Sequence, residues 1–154
     1  RAISFTLADR GAHLVILNRL LELEWAKELA GRISHIFSQE VKALELSRGN
    51  LAGVLDKADI LVNATSVGMS PDTEGTPVDA DLLRPGLVVF DAVYNPIKTR
   101  LLGEAEKAGA ITTSGLDMLV WQGALAFEKW TGQKAPAELM KEEAIKLLKK
   151  QNNE

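Results

Sequence analysis

The sequence predicts an α/β protein built on a doubly wound parallel sheet, and three observations carry that reading. Short, nearly continuous apolar runs recur along the chain, as expected of strands covered on both faces. Stretches with helical spacing of apolar residues separate them. The residues that follow each run are small and polar, and they fall at the carboxyl ends of the strands, where open parallel sheets collect ligands.

In chain order, residues 2–10 carry apolar side chains at 3, 7 and 8 beside Ala2, a short helix that Gly11 ends in a left-handed conformation. His13-Leu14-Val15-Ile16-Leu17, bounded by Gly11 and Asn18, is the first strand, buried on both faces. Residues 22–35 form a helix, residues 41–44 a weak strand and residues 51–57 a short helix. Ile60-Leu61-Val62 ends in Asn63, and Leu87-Val88-Val89-Phe90 follows the Pro85-Gly86 turn and ends in Asp91; both are interior parallel strands. Residues 98–108 are helical, Gly109 stops that helix, and Ala110-Ile111-Thr112 is the last strand. Apolar residues 116, 119, 120, 124 and 127 trace one face of a longer helix that stops by Gly132. Trp121, Phe127 and Trp130 read as core or interface residues rather than cofactor contacts, and Trp25 reads as packing. A final helix begins near Pro136, with acidic residues 138, 142 and 143 ahead of lysines 146, 149 and 150, the order that complements the helix dipole. The polar stretch 151–154 is a frayed tail. No repeat, low-complexity segment or long linker divides the chain, so residues 1–154 are expected to form a single domain, with 136–154 its C-terminal helix and tail.

Composition narrows the function classes. The 154 residues are 46% hydrophobic and 25% charged, with 18 basic against 21 acidic side chains and a net charge of −3. That is the profile of an ordinary soluble domain. Cysteine is absent, and His13 and His35 have no partner at ligand spacing, which argues against a metal site, a catalytic thiol and a disulfide scaffold. No apolar run approaches the roughly 18 residues a membrane helix needs, and no basic stripe marks a nucleic-acid partner. A cytoplasmic protein fits best. Arg1 rather than methionine opens directly into a helical pattern, so the chain is expected to be cut off at its front.

The polar residues after the strands are the candidate site. Arg19 lies where an NAD-specific dinucleotide-binding domain usually carries an acidic residue against the ribose, and an arginine there fits a 2′-phosphate that its planar guanidinium can bond twice. Asn18 could orient the ribose or phosphate. A solvated surface arginine is the plainer alternative. Asn63 and Thr65 open a small polar stretch ending in Gly68-Met69, which lets backbone pass close to a flat cofactor or simply makes a turn. Tyr94, the single tyrosine, could bond a substrate carboxylate or pack with its hydroxyl satisfied by backbone. Gln122 sits between Trp121 and Gly123 in an apolar helix, where its amide needs partners, either ligand hydroxyls or a backbone carbonyl. Gly115 brings backbone close to a ligand ring or supplies the loop conformation before the helix.

Together, Asn18-Arg19, NATSVGM at 63–69, FDAVYNPIKT at 90–99 and GLDMLVWQGALAFEKWTG at 115–132 resemble shikimate dehydrogenase, specifically its carboxyl-terminal nicotinamide-cofactor domain, over nearly the whole chain. The resemblance implies a Rossmann-like sheet and the NADP-dependent, reversible reduction of 3-dehydroshikimate to shikimate in aromatic amino-acid biosynthesis. It implies that Asn18 and Arg19 meet the adenosine 2′-phosphate, that Asn63 and Thr65 belong to the cofactor site, and that Ala92 and Gly115 lie beside the nicotinamide. Tyr94 and Gln122 would then contact the shikimate carboxylate or hydroxyls. The family's catalytic residues lie in an amino-terminal substrate domain that this chain lacks, as it lacks the first, central strand with its glycine-rich loop, so no catalytic residue is expected here and the fragment alone is expected to be inactive. Leu20-Leu21-Glu22 stands where the family usually has threonine and then a basic residue. Two alternatives follow: a quinate/shikimate dehydrogenase using NAD, which Leu20 and Glu22 favour and Arg19 opposes, and a non-catalytic nucleotide-binding module, which Tyr94 and Gln122 oppose.

Overall fold

The computed structural model describes residues 1–151, and the chain divides into two compact units, one of Arg1–Lys57 and one from Ala58 onward. Of the frayed tail expected at 151–154, Gln151 instead ends the last helix, and 152–154 lie outside the described residues.

The first unit orders α1 (Ala2–Asp9), β1 (Val15–Asn18), α2 (Leu23–Phe37), β2 (Lys42–Glu45) and α3 (Arg48–Leu55). β1 and β2 pair in parallel from Val15 opposite Lys42 to Asn18 opposite Glu45, so the weak strand at 41–44 is present, shifted by one residue. α2 makes the crossover and supplies the core: Ala30 and Ile33 are buried with Ala8 and Val41, and Phe5, Leu14, Ile16 and Phe37 pack against them. Of these, the fully buried Ile33 contributes roughly 1.5–3 kcal/mol. The rings of Phe5 and Phe37 meet edge to face at 6.2 Å, which ties α1 to the end of α2. Ser38 then turns left-handed, and the Val41 N–H donates to Ser34 Oγ at 3.1 Å, aiming the chain into β2. β1 departs from the expected two-faced burial. It pairs with β2 alone, and Val15 is 38% exposed.

The second unit orders β3 (Ile60–Asn63), β4 (Val88–Asp91), α4 (Arg100–Lys107), β5 (Ile111–Ser114), α5 (Gly115–Thr131) and α6 (Ala137–Gln151). Its three parallel strands lie in the order β3-β4-β5. β4 is interior, as expected, with Leu87 and Val89 fully buried. β3 is not: it is an edge strand in this sheet, and Ile60 is 49% exposed because no described strand lies on its other side. The β3–β4 connection also breaks the expected alternation, since residues 64–87 hold no α-helix and only a 3-10 turn at Ala80–Leu82. Pro71, Gly75 and Pro77 account for this, because they interrupt any helical register. Buried Val78 and Leu83 pin the segment down instead.

Beyond β4, Thr99 caps α4 by accepting the Leu102 N–H, and Leu101, Leu102 and Ala105 form the buried face of that helix. Gly109 and Gly132 adopt φ of 78° and 69° just past α4 and α5, the left-handed stops the sequence implied. β5 runs to Ser114, whose Oγ accepts the Leu116 N–H at 3.1 Å, so strand passes into helix with no loop. Leu116, Val120 and Ala124 form the buried stripe of α5, and α6 covers part of it through Leu148, Met140 and Ile145. The tryptophans are not core residues, against the packing reading of Trp25 and the core half of the reading of Trp121 and Trp130. Trp25, Trp121 and Trp130 are 64%, 58% and 83% exposed, because each lies off the buried stripe of its helix, and only Phe127 of that set is half-buried.

The start of α5 lies against the chain leaving β4. A Cβ at Gly115 would stand 2.2 Å from the Ala92 carbonyl oxygen, far inside van der Waals contact. Gly115→Ala in the full-length protein is therefore expected to lower unfolding stability by roughly 1–3 kcal/mol, seen as a lower denaturant midpoint at an unchanged m-value. An unshifted midpoint would show that the two segments part without cost.

Candidate functional site

In the first unit the end of β1 makes a closed turn. Asn18 Oδ1 accepts the Arg19 N–H at 2.9 Å, and Asn18 Nδ2 donates to the Glu22 carbonyl at 3.1 Å. Both ends of the Asn18 amide are thus used in shaping the turn that presents Arg19. The Arg19 side chain is 73% exposed, and its guanidinium is held by one partner: Nη2 donates to Glu22 Oε1 at 2.7 Å and Nε to Glu22 Oε2 at 3.3 Å.

In the second unit the register places Asn63, Asp91 and Ser114 side by side at the carboxyl ends of β3, β4 and β5. Asp91 is fully buried, and both of its carboxyl oxygens are occupied. Oδ1 accepts from Asn63 Nδ2 at 2.9 Å and from the Val93 N–H at 3.0 Å, while Oδ2 accepts from Thr99 Oγ1 at 2.7 Å. Asn63, itself buried, continues the network outward, its Oδ1 accepting the Thr65 N–H and the Thr65 hydroxyl at 3.1 and 2.7 Å. Thr65 Oγ1 in turn accepts the Val67 N–H at 3.1 Å. One buried carboxyl group thereby sets the path of the chain after β3, the path after β4 and the first turn of α4.

The loops so fixed enclose a shallow pocket of about 380 Å³, lined by Thr65, Ser66, Met69, Ala92, Tyr94 and Asn95 among others. Of the residues expected from sequence, Thr65, Ala92 and Tyr94 meet here, and Gly115 touches Ala92 from behind. Tyr94 is 40% exposed, so it is not the packed core tyrosine that was one of its two readings. Asn63 stands beneath the pocket rather than on its wall. Gln122 does not line it. That residue is exposed on α5, two positions beyond the buried Val120 and next to the exposed Trp121, so its amide is solvated rather than buried in need of a partner. Sequence reasoning missed Asp91 and Thr99 as the residues that hold the site, and Asn95, whose buried Oδ1 has no hydrogen-bond partner. The signal for the first two was a charged residue ending an apolar strand, with a hydroxyl residue one step before a helix.

Residues 115–145 match the shikimate 5′-dehydrogenase C-terminal domain family. A shikimate dehydrogenase (NADP(+)) of Dehalococcoides mccartyi is 48% identical over 143 residues, which cover 93% of this chain and 49% of that protein. The chain matches the carboxyl-terminal region of shikimate dehydrogenases. It spans about half the length of the curated relatives it resembles. Among solved structures, shikimate 5-dehydrogenase of Listeria monocytogenes in complex with shikimate and NAD superposes with a TM-score of 0.85 at 37% identity, covering 92% of this chain and 50% of that one. Quinate dehydrogenase of Corynebacterium glutamicum in complex with NAD superposes with a TM-score of 0.83 at 32% identity, covering 94% and 50%. These likenesses match the α/β architecture with parallel sheets to that of about half of each shikimate or quinate dehydrogenase structure. Among the described residues no helix is long and apolar enough to cross a membrane.

The buried network yields a stability test. Asp91→Ala would strand the Asn63 amide, the Thr99 hydroxyl and the Val93 N–H in the interior, and is expected to cost roughly 3 kcal/mol or more. Thr99→Val removes one donor and the cap of α4 together, for about 1–3 kcal/mol, while Thr99→Ser keeps both and stays near wild type. Chemical denaturation of the three variants checks this order.

Proposed function

We propose that this chain is the cofactor-binding portion of an NADP-dependent shikimate dehydrogenase, a cytoplasmic oxidoreductase that interconverts 3-dehydroshikimate and NADPH with shikimate and NADP in aromatic amino-acid biosynthesis. The 48% identity to an NADP-dependent relative across 93% of the chain carries this reading. The residues present fit such a cofactor. An exposed guanidinium at the end of β1 suits the 2′-phosphate, and the hydroxyl-bearing loop of Thr65 and Ser66 faces an open pocket beside Ala92 and Tyr94.

In this reading Arg19 holds the 2′-phosphate, and Asn18 shapes the turn that presents it. Asn63 holds the Thr65 loop against the cofactor, and the close passage of Gly115 behind Ala92 leaves backbone beside the nicotinamide. Tyr94 and Gln122 bond the substrate's carboxylate or hydroxyls and fix the face it presents. The bound nicotinamide supplies the hydride. The residues here contribute distance and orientation, which is where the protein's share of such catalysis lies. We place the proton-transferring residues in an amino-terminal substrate domain outside these residues, and we take residues 1–154 as one cofactor domain, inactive alone. The alternative of an NAD-using quinate/shikimate dehydrogenase has one observation in its favour, the carboxylate of Glu22 on Arg19.

We further propose that the sheet is completed by a first, central strand and its glycine-rich loop, lying outside residues 1–154. The open sides of β1 and β3, with Val15 and Ile60 exposed, support this. Such a strand would add roughly 1 kcal/mol per ladder hydrogen bond and about 1.5–3 kcal/mol per buried apolar side chain, comparable with the whole stability of a domain at about 5–15 kcal/mol.

Three measurements test these readings. In the full-length protein, Arg19→Ala should weaken NADPH about 10- to 150-fold more than NADH, as expected for a lost charge-assisted pair of bonds. Tyr94→Phe and Gln122→Ala should raise the KM for shikimate and leave cofactor affinity unchanged; equal loss of both ligands would refute their substrate role. The 154-residue chain alone should neither melt cooperatively nor bind NADP, and a sharp thermal transition with micromolar NADP affinity would overturn the completing strand.

A further inference from the structure

The turn after β1 combines two features that dinucleotide-binding sheets ordinarily use one at a time: an arginine suited to a 2′-phosphate and an acid suited to a ribose 2′-hydroxyl. Here they are bonded to each other. Glu22 meets Arg19 along the Nε–Nη2 edge, one of the two edges on which a phosphate makes a two-point contact, at 3.3 and 2.7 Å. The turn makes the pairing a fixed feature of the backbone. The Glu22 N–H donates to the Arg19 carbonyl at 2.9 Å and the Glu22 carbonyl accepts from Asn18, so the two side chains leave the main chain on one side of a single closed turn. The Glu22 side chain is 30% exposed against 73% for Arg19, which places the carboxylate as the better-anchored partner.

Resting on the cofactor reading above, we propose that Glu22 is the residue that determines cofactor choice in this protein, by competing with the 2′-phosphate for Arg19. Binding of the phosphorylated cofactor either displaces the carboxylate from the Nε–Nη2 edge or takes the remaining Nη1–Nη2 end beside it, and in both cases two anions face one cation. Binding of the unphosphorylated cofactor leaves the ion pair whole, and its 2′-hydroxyl can donate to the Glu22 carboxylate. The protein therefore uses both cofactors, with its preference for the phosphorylated one narrowed by Glu22 rather than set by Arg19 alone.

The test is equilibrium binding of NADP+, NAD+ and 2′,5′-ADP to the full-length protein by titration calorimetry, with Glu22→Gln, Glu22→Lys and Arg19→Ala. Since the turn is held by the backbone of Glu22 and by Asn18, these side-chain changes leave it intact. Glu40→Gln, the same charge change at an exposed residue paired with Lys42, controls for net charge. Glu22→Gln should tighten NADP+ and 2′,5′-ADP by roughly three- to tenfold and leave NAD+ unchanged or weaker, Glu22→Lys should do so more strongly, and Glu40→Gln should change neither. If Glu22→Gln and Glu22→Lys leave the NADP+/NAD+ affinity ratio at the wild-type value while Arg19→Ala collapses it, the role of Glu22 is refuted and the cofactor reading stands. If Arg19→Ala leaves the ratio unmoved as well, both fall.

Discussion

The second unit depends on one buried carboxyl group. Asp91 ends the middle strand of its sheet, fully out of solvent, and an acid there is tolerable only because donors from three directions meet it. The Asn63 amide comes from the neighbouring strand, the Val93 N–H from its own loop, and the Thr99 hydroxyl from the head of α4. An apolar residue in its place would pack as well and organise nothing. The polar choice converts three separate segments into one rigid rim, and the pocket with Thr65, Ala92 and Tyr94 on its wall is the surface of that rim. The first unit has no such buried acid among its described residues. Its turn is organised by a half-buried amide, Asn18, and its core by aromatic and aliphatic packing around Ile33.

What could be read in advance divides along physical lines. The strands at β1, β3 and β4, the helix stops at Gly109 and Gly132, and the buried stripe of Leu116, Val120 and Ala124 were legible because each is a local pattern of apolar spacing or backbone permissiveness. Burial was not, because it depends on what covers a surface rather than on the surface itself. Val15 and Ile60 belong to apolar runs indistinguishable from that of Val89, yet only Val89 has a paired strand on either side. The core reading of the tryptophans met the same limit: Trp121 follows the buried Val120 directly, and one residue of helical rotation carries it out of the stripe. The helix-free crossover at 64–87 was legible in Pro71, Gly75 and Pro77, whereas the burial of Val78 and Leu83 that pins it was not.

The candidate site was legible in a different way. Arg19, Thr65, Ala92 and Tyr94 were found by position after strands and by likeness to a family, and the geometry adds what neither could supply. Arg19 and Glu22 stand at a separation that any helix or turn allows, but only the closed turn makes them a bidentate pair. The site is also held from beneath by residues that contact no pocket surface, a pattern that spacing along a chain does not encode.

The junction of β5 and α5 has a mechanical meaning. Ser114 is at once the last residue of the strand, opposite Asp91, and the cap of the helix, and the helix begins at the next residue. No residue between them is free to act as a hinge. α5 cannot pivot on the sheet without giving up either a ladder position or its cap, so it moves with β5 as one stiff lever, and any opening or closing of this protein over a ligand must find its axis in some other segment.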